Sequence, residues 1–182
     1  MEIFTKELIV KIFIQILNGL KHLNKYEWAH RDLKLENIVI TNINPIQVKI
    51  IDFEFATKKK YCSRSIGTTL YMSPQLIQKL YYNTHKNDIW TLGVILFSMY
   101  TNNRPYKEPK KVKNNNVYCE LLASIREKKW HKYWNAIEYL CKEDINIKML
   151  DDKYNLPQEF KDIIEVMLSY DQKNRSNLKT IL

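Results

Sequence analysis

The sequence predicts a mainly α fold that carries one small β-hairpin. Three observations predict it. Apolar residues recur at a period of 3.6 through the long segments, which is the signature of helices with one buried face. A β-branched triplet, Ile38-Val39-Ile40, is followed by a turn sequence and then by a run from Ile46 to Ile51 that alternates before becoming apolar. Glycine is scarce, with 3 among 182 residues, where average usage of about 7% would give about thirteen. A P-loop or a dinucleotide fingerprint needs several glycines in a short span, and Gly19, Gly67 and Gly93 lie far apart.

The elements follow in order. Ile3 to Asn24 reads as a helix with Leu8, Ile9, Ile12, Phe13, Ile16, Leu17, Leu20 and Leu23 on one face. The hairpin spans residues 38–51, with Thr41 to Pro45 as its turn. Thr57 to Ser65 is polar, basic and aperiodic, hence a loop. Asp88 to Tyr100 leaves no clean polar face, which marks a buried helix. Asn102 to Asn116 is polar, with prolines and a triple asparagine, and reads as a surface loop. Tyr118 to Lys129 and Trp134 to Lys142 read as helices. Pro157 opens a last one, with Phe160, Ile163, Ile164, Met167 and Leu168 on one face. Length, 45% hydrophobic and 27% charged residues suit one globular domain with a substantial core.

Charge and cysteine content narrow the function classes. The net charge of +9 gathers at Lys58-Lys59-Lys60, at Lys110-Lys111 with Lys113, and at Lys128-Lys129 with Lys132. These clusters lack the spacing and the arginines of base readout, so they read as solvated faces rather than a nucleic-acid surface. Trp130-His131-Lys132-Tyr133-Trp134 reads as an anchor of a helix to the core. His22, His85 and His131 show no metal spacing and read as surface residues. Cys62, Cys119 and Cys141 have no C-x-x-C spacing and read as free thiols of a reducing, intracellular and cytoplasmic setting, without the charged surroundings a nucleophile needs. Glu2 and Glu7 are wrong for a signal peptide, and the run Thr91 to Tyr100 is too short to span a bilayer, so no membrane partner is expected.

The chemistry brackets the hairpin. His30-Arg31-Asp32-Leu33-Lys34-Leu35-Glu36-Asn37 precedes it and Asp52-Phe53-Glu54 follows it. The arrangement offers hard oxygens for Mg²⁺, one lysine for a phosphoryl group and a carboxylate able to take a hydroxyl proton.

This stretch resembles the catalytic loop of eukaryotic protein kinases, H-R-D-L-x-x-x-N, followed by D-F-G. Every fixed position of the first motif is filled, and two of three in the second. Further on, Gly67-Thr68-Thr69-Leu70-Tyr71-Met72-Ser73-Pro74-Gln75 is similar to the G-T-x-x-Y-M-A-P-E close of the activation segment. Asp88 to Gly93 is similar to the start of the buried helix of the larger lobe, and Asp171 to Arg175 to the late D-P-x-x-R element.

The resemblance covers the C-terminal lobe of a serine/threonine-class kinase and runs over nearly the whole chain. It implies a partial domain over residues 1–182, with the N-terminal lobe absent and the last helical region cut short. It implies ATP and Mg²⁺ as cofactors and a protein bearing a Ser or Thr acceptor as substrate. Asp32 is implied as the base, and Lys34 as the residue that steadies the transferring phosphoryl group. Asn37 and Asp52 are implied as metal ligands, with Lys34, Glu36, Asn37, Val39 and Asp52 along the nucleotide and Val39 under the adenine. Thr68 is implied to bond Asp32 and Lys34, and Asp88 to bond the backbone of the catalytic loop. Arg31 implies control by a phosphate on the activation segment, with Thr57, Ser63 and Ser65 as acceptors. His30 is expected to pack near Phe53.

Three positions depart from the pattern. Glu54 stands where the family has glycine, whose backbone angles glutamate resists. Gln75 replaces a glutamate, so its pairing with Arg175 falls to a neutral hydrogen bond, roughly half as strong. Gln172 replaces a proline, a milder change. Without the other lobe the chain is expected to bind Mg-ATP weakly or not at all. An inactive kinase-like module that binds a protein partner through the exposed inter-lobe surface is the alternative, and a basic nucleic-acid-binding protein rests on charge alone. Ser98 stands where the family often has a glutamate that reads basic peptides, so a strict basic-residue requirement is not expected.

Overall fold

The computed structural model describes residues 5–106, 120–143 and 156–181. The chain opens with α1 (Lys6–Lys25), followed by the antiparallel hairpin β1 (Ile38–Ile43) and β2 (Ile46–Ile50). The short strand β3 (Tyr61–Cys62), the single-turn α2 (Pro74–Ile77) and β4 (Tyr82–Asn83) come next. Then follow α3 (Thr84–Thr101), α4 (Glu120–Arg126), α5 (Trp130–Glu143) and α6 (Gln158–Met167).

Thr5 caps α1 by accepting the Leu8 N–H at 3.3 Å. The apolar stripe of α1 then buries Ile9, Ile12, Phe13, Ile16, Leu17 and Leu20. This stripe packs on β2 and on α3. Gly19 lies under the hairpin, where a Cβ would stand 2.9 Å from the Ile50 Cδ1 atom, the movable tip of that side chain. Gln15 adds a polar clamp: its amide nitrogen donates to the Ile46 carbonyl at 3.0 Å and its oxygen accepts from Val48 N–H at 3.0 Å. The unpaired edge of β2 is thereby tied to α1.

The central helix is α3. Asn83 caps it by accepting the Lys86 N–H at 3.0 Å, and Ile89, Trp90, Leu92, Val94, Ile95 and Phe97 are all buried. α6 lies against it through Ile164, Met167 and Leu168, which are fully enclosed. Tyr133 and Trp134 anchor α5 to the same core, the former donating to the Pro105 carbonyl at 2.9 Å.

Several expectations need correction. β1 continues to Ile43 where a turn from Thr41 was predicted. A bulge between Ile40 and Asn42 takes up the extra residue, and the connection shrinks to Asn44 and Pro45. The segment predicted as a plain loop contains β3, which pairs Tyr61 with Asn83 and Cys62 with Tyr82. α5 starts at Trp130, one turn before the predicted Trp134. His85 is half-buried rather than a surface residue, with Nε2 enclosed. Residues 3 and 4 of the first predicted helix, residues 107–116 of the predicted loop, and Cys119 lie outside the described residues. So does the side chain of Cys141.

Candidate active site

The loop between α1 and β1 is held from beneath by one buried carboxylate. Asp88, in the second turn of α3, accepts the His30 N–H at 2.7 Å on Oδ2 and the Arg31 N–H at 2.8 Å on Oδ1. Burial pushes its carboxyl up from the ordinary range, and the two N–H groups oppose that push. His30 is fully buried, its Nε2 3.0 Å from the Ile51 carbonyl oxygen and its ring 5.1 Å from that of Phe53. Arg31 adopts a positive φ of 69°, a conformation that costs a non-glycine residue of order 1–3 kcal/mol and needs support from its surroundings. That support is the Asp88 bond together with its own Nε donating to the Phe55 carbonyl at 2.6 Å.

Asp32 then points into a closed set of partners. Its Oδ1 accepts the Thr68 N–H at 2.8 Å and the Thr68 hydroxyl at 3.0 Å, while Oδ2 pairs with Lys34 Nζ at 3.0 Å. Lys34 Nζ also donates to Thr68 Oγ1 at 3.3 Å. The hydrogen bond to Asp32 holds the Lys34 ammonium above its usual pKa, partly offset by burial. Gly67 makes the close approach possible: its φ is +108°, and a Cβ there would meet the Arg31 carbonyl oxygen at 2.9 Å.

The two metal ligands implied by the sequence are linked only through the backbone. Asn37 is buried, and its amide nitrogen donates to the Asp32 carbonyl at 2.9 Å. The nitrogen is thus committed, and the side-chain oxygen is the donor available to a cation. The Asn37 backbone carbonyl accepts the Ile51 N–H at 3.0 Å, which brings Asp52 beside it in sequence. Asp52 is exposed, has a φ of 64°, and accepts only a long 3.4 Å bond from the Glu54 N–H. Among the described residues no group of three or more His, Cys, Asp and Glu side chains forms a metal site by itself. An amide oxygen and a carboxylate fit a hard cation that completes its shell with phosphate oxygens and water, the habit of Mg²⁺.

Glu54 is exposed and is not among the described residues with positive φ. The backbone strain expected of glutamate at the glycine position is therefore absent. Val39 is 37% exposed on β1, with Ile51 at 41% and Phe53 at 47%. Glu36 Oε2 accepts from the Tyr71 hydroxyl at 3.4 Å.

The activation-segment residues are spread out. Thr57 pairs with Ala29 through reciprocal 2.9 Å backbone bonds. The Ser65 hydroxyl donates to the Leu76 carbonyl at 3.0 Å, and Ser63 is exposed. Arg31 Nη1 lies 3.5 Å from Cys62 Sγ. This corrects the reading of the cysteines, since Cys62 does have a cation beside it. The contact arises from the β3–β4 pairing, which is too short to show in the sequence.

At the far end of the segment Arg175 is buried, and no carboxylate pairs with it among the described residues. It donates to Gln75 Oε1 and to the carbonyls of Ser169, Tyr170 and Lys86. Burial pushes its guanidinium well below the usual arginine range.

The family model for the protein kinase domain matches residues 1–182. The chain belongs to the protein kinase family. It is 30% identical over 183 residues to the SNF-related serine/threonine-protein kinase of Homo sapiens, covering 97% of this chain and 20% of that relative. It is 29% identical over 182 residues to a probable serine/threonine-protein kinase of Dictyostelium discoideum, covering 94% of this chain and 9% of the relative. A sporulation protein kinase of Schizosaccharomyces pombe is 28% identical over 151 residues, 77% of this chain and 27% of its own length. The kinase chain therefore spans less than a third of the length of these relatives. No helix among its described residues is long and apolar enough to cross a membrane.

Proposed function

We propose that this chain is the C-terminal-lobe portion of a serine/threonine protein kinase domain that transfers the γ-phosphate of ATP to a Ser or Thr hydroxyl of a protein. The observation that carries this reading is the Asp32 carboxylate, fixed by Thr68 and Lys34 at the three bond lengths given above.

In this reading Asp32 orients the acceptor hydroxyl and takes its proton as the oxygen bonds to the γ-phosphorus. The bond from that phosphorus to the leaving ADP oxygen breaks. Lys34, paired with Asp32, would place its charge against the moving phosphoryl group. Asn37 and Asp52 would hold Mg²⁺, which neutralises phosphate charge when bound. Val39 lines the adenine side, and Glu36 stands at the loop's outer edge. Arg31, beside Cys62, supports phosphate control through the neighbouring Ser63, with Thr57 and Ser65 as the other acceptors. The free thiol of Cys62 supports an intracellular, cytoplasmic setting.

The test is phosphate transfer from labelled ATP to serine peptides, by the full protein containing this chain. Asp32→Asn is expected to lower the rate by a factor of about 10²–10⁴ with unchanged circular dichroism. A variant that keeps its rate removes Asp32 from the role of base.

A second reading has one observation behind it. The exposed Val39, Ile51 and Phe53 support a protein contact at this surface, as an inactive kinase-like module would use it. Retained partner binding with no transfer by the full protein would favour that reading.

A further inference from the structure

Tyr71 stands on the flank of the Asp32 site. Its hydroxyl accepts the Leu35 N–H at 3.4 Å and donates to Glu36 at 3.4 Å, so it is joined to the loop just beyond Lys34. The guanidinium of Arg104, which follows α3, lies over the Tyr71 ring at 5.2 Å from its centroid. Nη1 of Arg104 is fully enclosed and has no hydrogen-bond partner, although the residue as a whole is half-exposed. Among the described residues no carboxylate lies within ion-pair distance of it.

An enclosed cationic N–H without an acceptor is costly, and the aromatic face compensates only in part. The planar fork of arginine matches a carboxylate or a phosphate in two-point contact. Glu36 is the neighbouring acid, and it is engaged with Tyr71. α3 supplies no other: its single acid, Asp88, is committed to the loop, and Ser98 near its end carries an enclosed, unpartnered hydroxyl.

We propose that Arg104, seated on Tyr71, is a specificity-determining residue that selects acceptor peptides bearing an oxyanion beside the target serine or threonine. The inference rests on the kinase reading for its use but not for its measurement. The oxyanion is the carboxylate of an acidic residue or the phosphate of a residue already phosphorylated.

The test is fluorescence anisotropy of labelled serine peptides on the kinase chain without ATP. Glutamate, phosphoserine, glutamine or lysine is walked through the positions flanking the serine. At the responsive position the anionic peptides are expected to bind about tenfold more tightly than the lysine peptide. The stronger of the glutamate and phosphoserine arms names the source of the oxyanion.

Arg104→Glu is expected to reverse the order, and Arg104→Gln, a neutral replacement that also covers the case of a misfolded charge reversal, to flatten it. Equal binding of all peptides, or an order unchanged in Arg104→Gln, overturns the proposal. Anion preference without phosphate transfer by the full protein would sink the kinase reading alone. Transfer without charge preference would sink this inference alone.

Discussion

The two loops that bracket the hairpin are held very differently. The loop from His30 to Asn37 is braced on every side: by Asp88 below, Thr68 and Lys34 around the Asp32 carboxylate, and Asn37 across its backbone. The loop from Asp52 to Glu54 is exposed and has a single 3.4 Å side-chain bond of its own. Both contain a non-glycine residue with positive φ, Arg31 and Asp52. The braced loop offsets that strain with buried bonds, whereas the exposed loop has few means to do so. The Asp32 carboxylate is thus fixed in advance by its neighbours, whereas the Asp52 carboxylate is left with one long bond.

The strongest way to break this contrast is to remove the brace. Asp88→Ala leaves two loop N–H groups without their acceptor in a buried place, and a loss of about 3 kcal/mol or more is expected, read as a fall in the urea midpoint. A loss below about 1 kcal/mol would mean the loop holds itself. The next effect has the opposite sign. Gln75→Glu gives the buried Arg175 a carboxylate, and a gain of about 1–2 kcal/mol is expected in the same experiment; destabilisation would show that burying a second charge outweighs the pairing.

Smaller still is the contribution of Lys34. A cation with a higher pKa folded than unfolded adds stability that is complete below its unfolded value of about 10.4 and lost as pH rises through the folded value. The raised Lys34 pKa has that sign. The stability gap between the native chain and Lys34→Met is thus expected to be flat through neutral pH, at about 0.5–1 kcal/mol, and to close above about pH 10.5. A gap that widens in alkali would reverse the assignment. The smallest effect belongs to the exposed loop. Glu54→Gly is expected to cost no more than about 1 kcal/mol, and a larger loss in thermal melting would show that glutamate braces this loop.

Much of this was legible in the sequence because it depends on long periodic signals or on motif spacing. The stripe of α1 and the all-round apolar α3 are written over many residues, and tertiary packing agrees with them. The convergence of Asp32, Lys34, Asn37 and Thr68 was legible only through the family resemblance, since no local pattern links Thr68 to Asp32 across 36 positions. The β3–β4 pair was illegible because two-residue strands carry no period, and with it went the Arg31–Cys62 contact. The Arg104 guanidinium, which has no carboxylate partner among the described residues, was illegible for a different reason, because an absent partner leaves no mark on a sequence. The absence of a positive φ at Glu54 was illegible too, because sequence does not report a backbone angle.

The Asp88 brace has one more consequence. The amides of His30 and Arg31 are bonded to a side chain of the most deeply buried helix, so fraying of the loop must break both bonds before it exposes them. Their hydrogens are expected to exchange with solvent among the slower amides of the chain, which hydrogen-exchange measurement checks. The order of this loop is thereby expected to be lost together with the packing of α3 rather than before it.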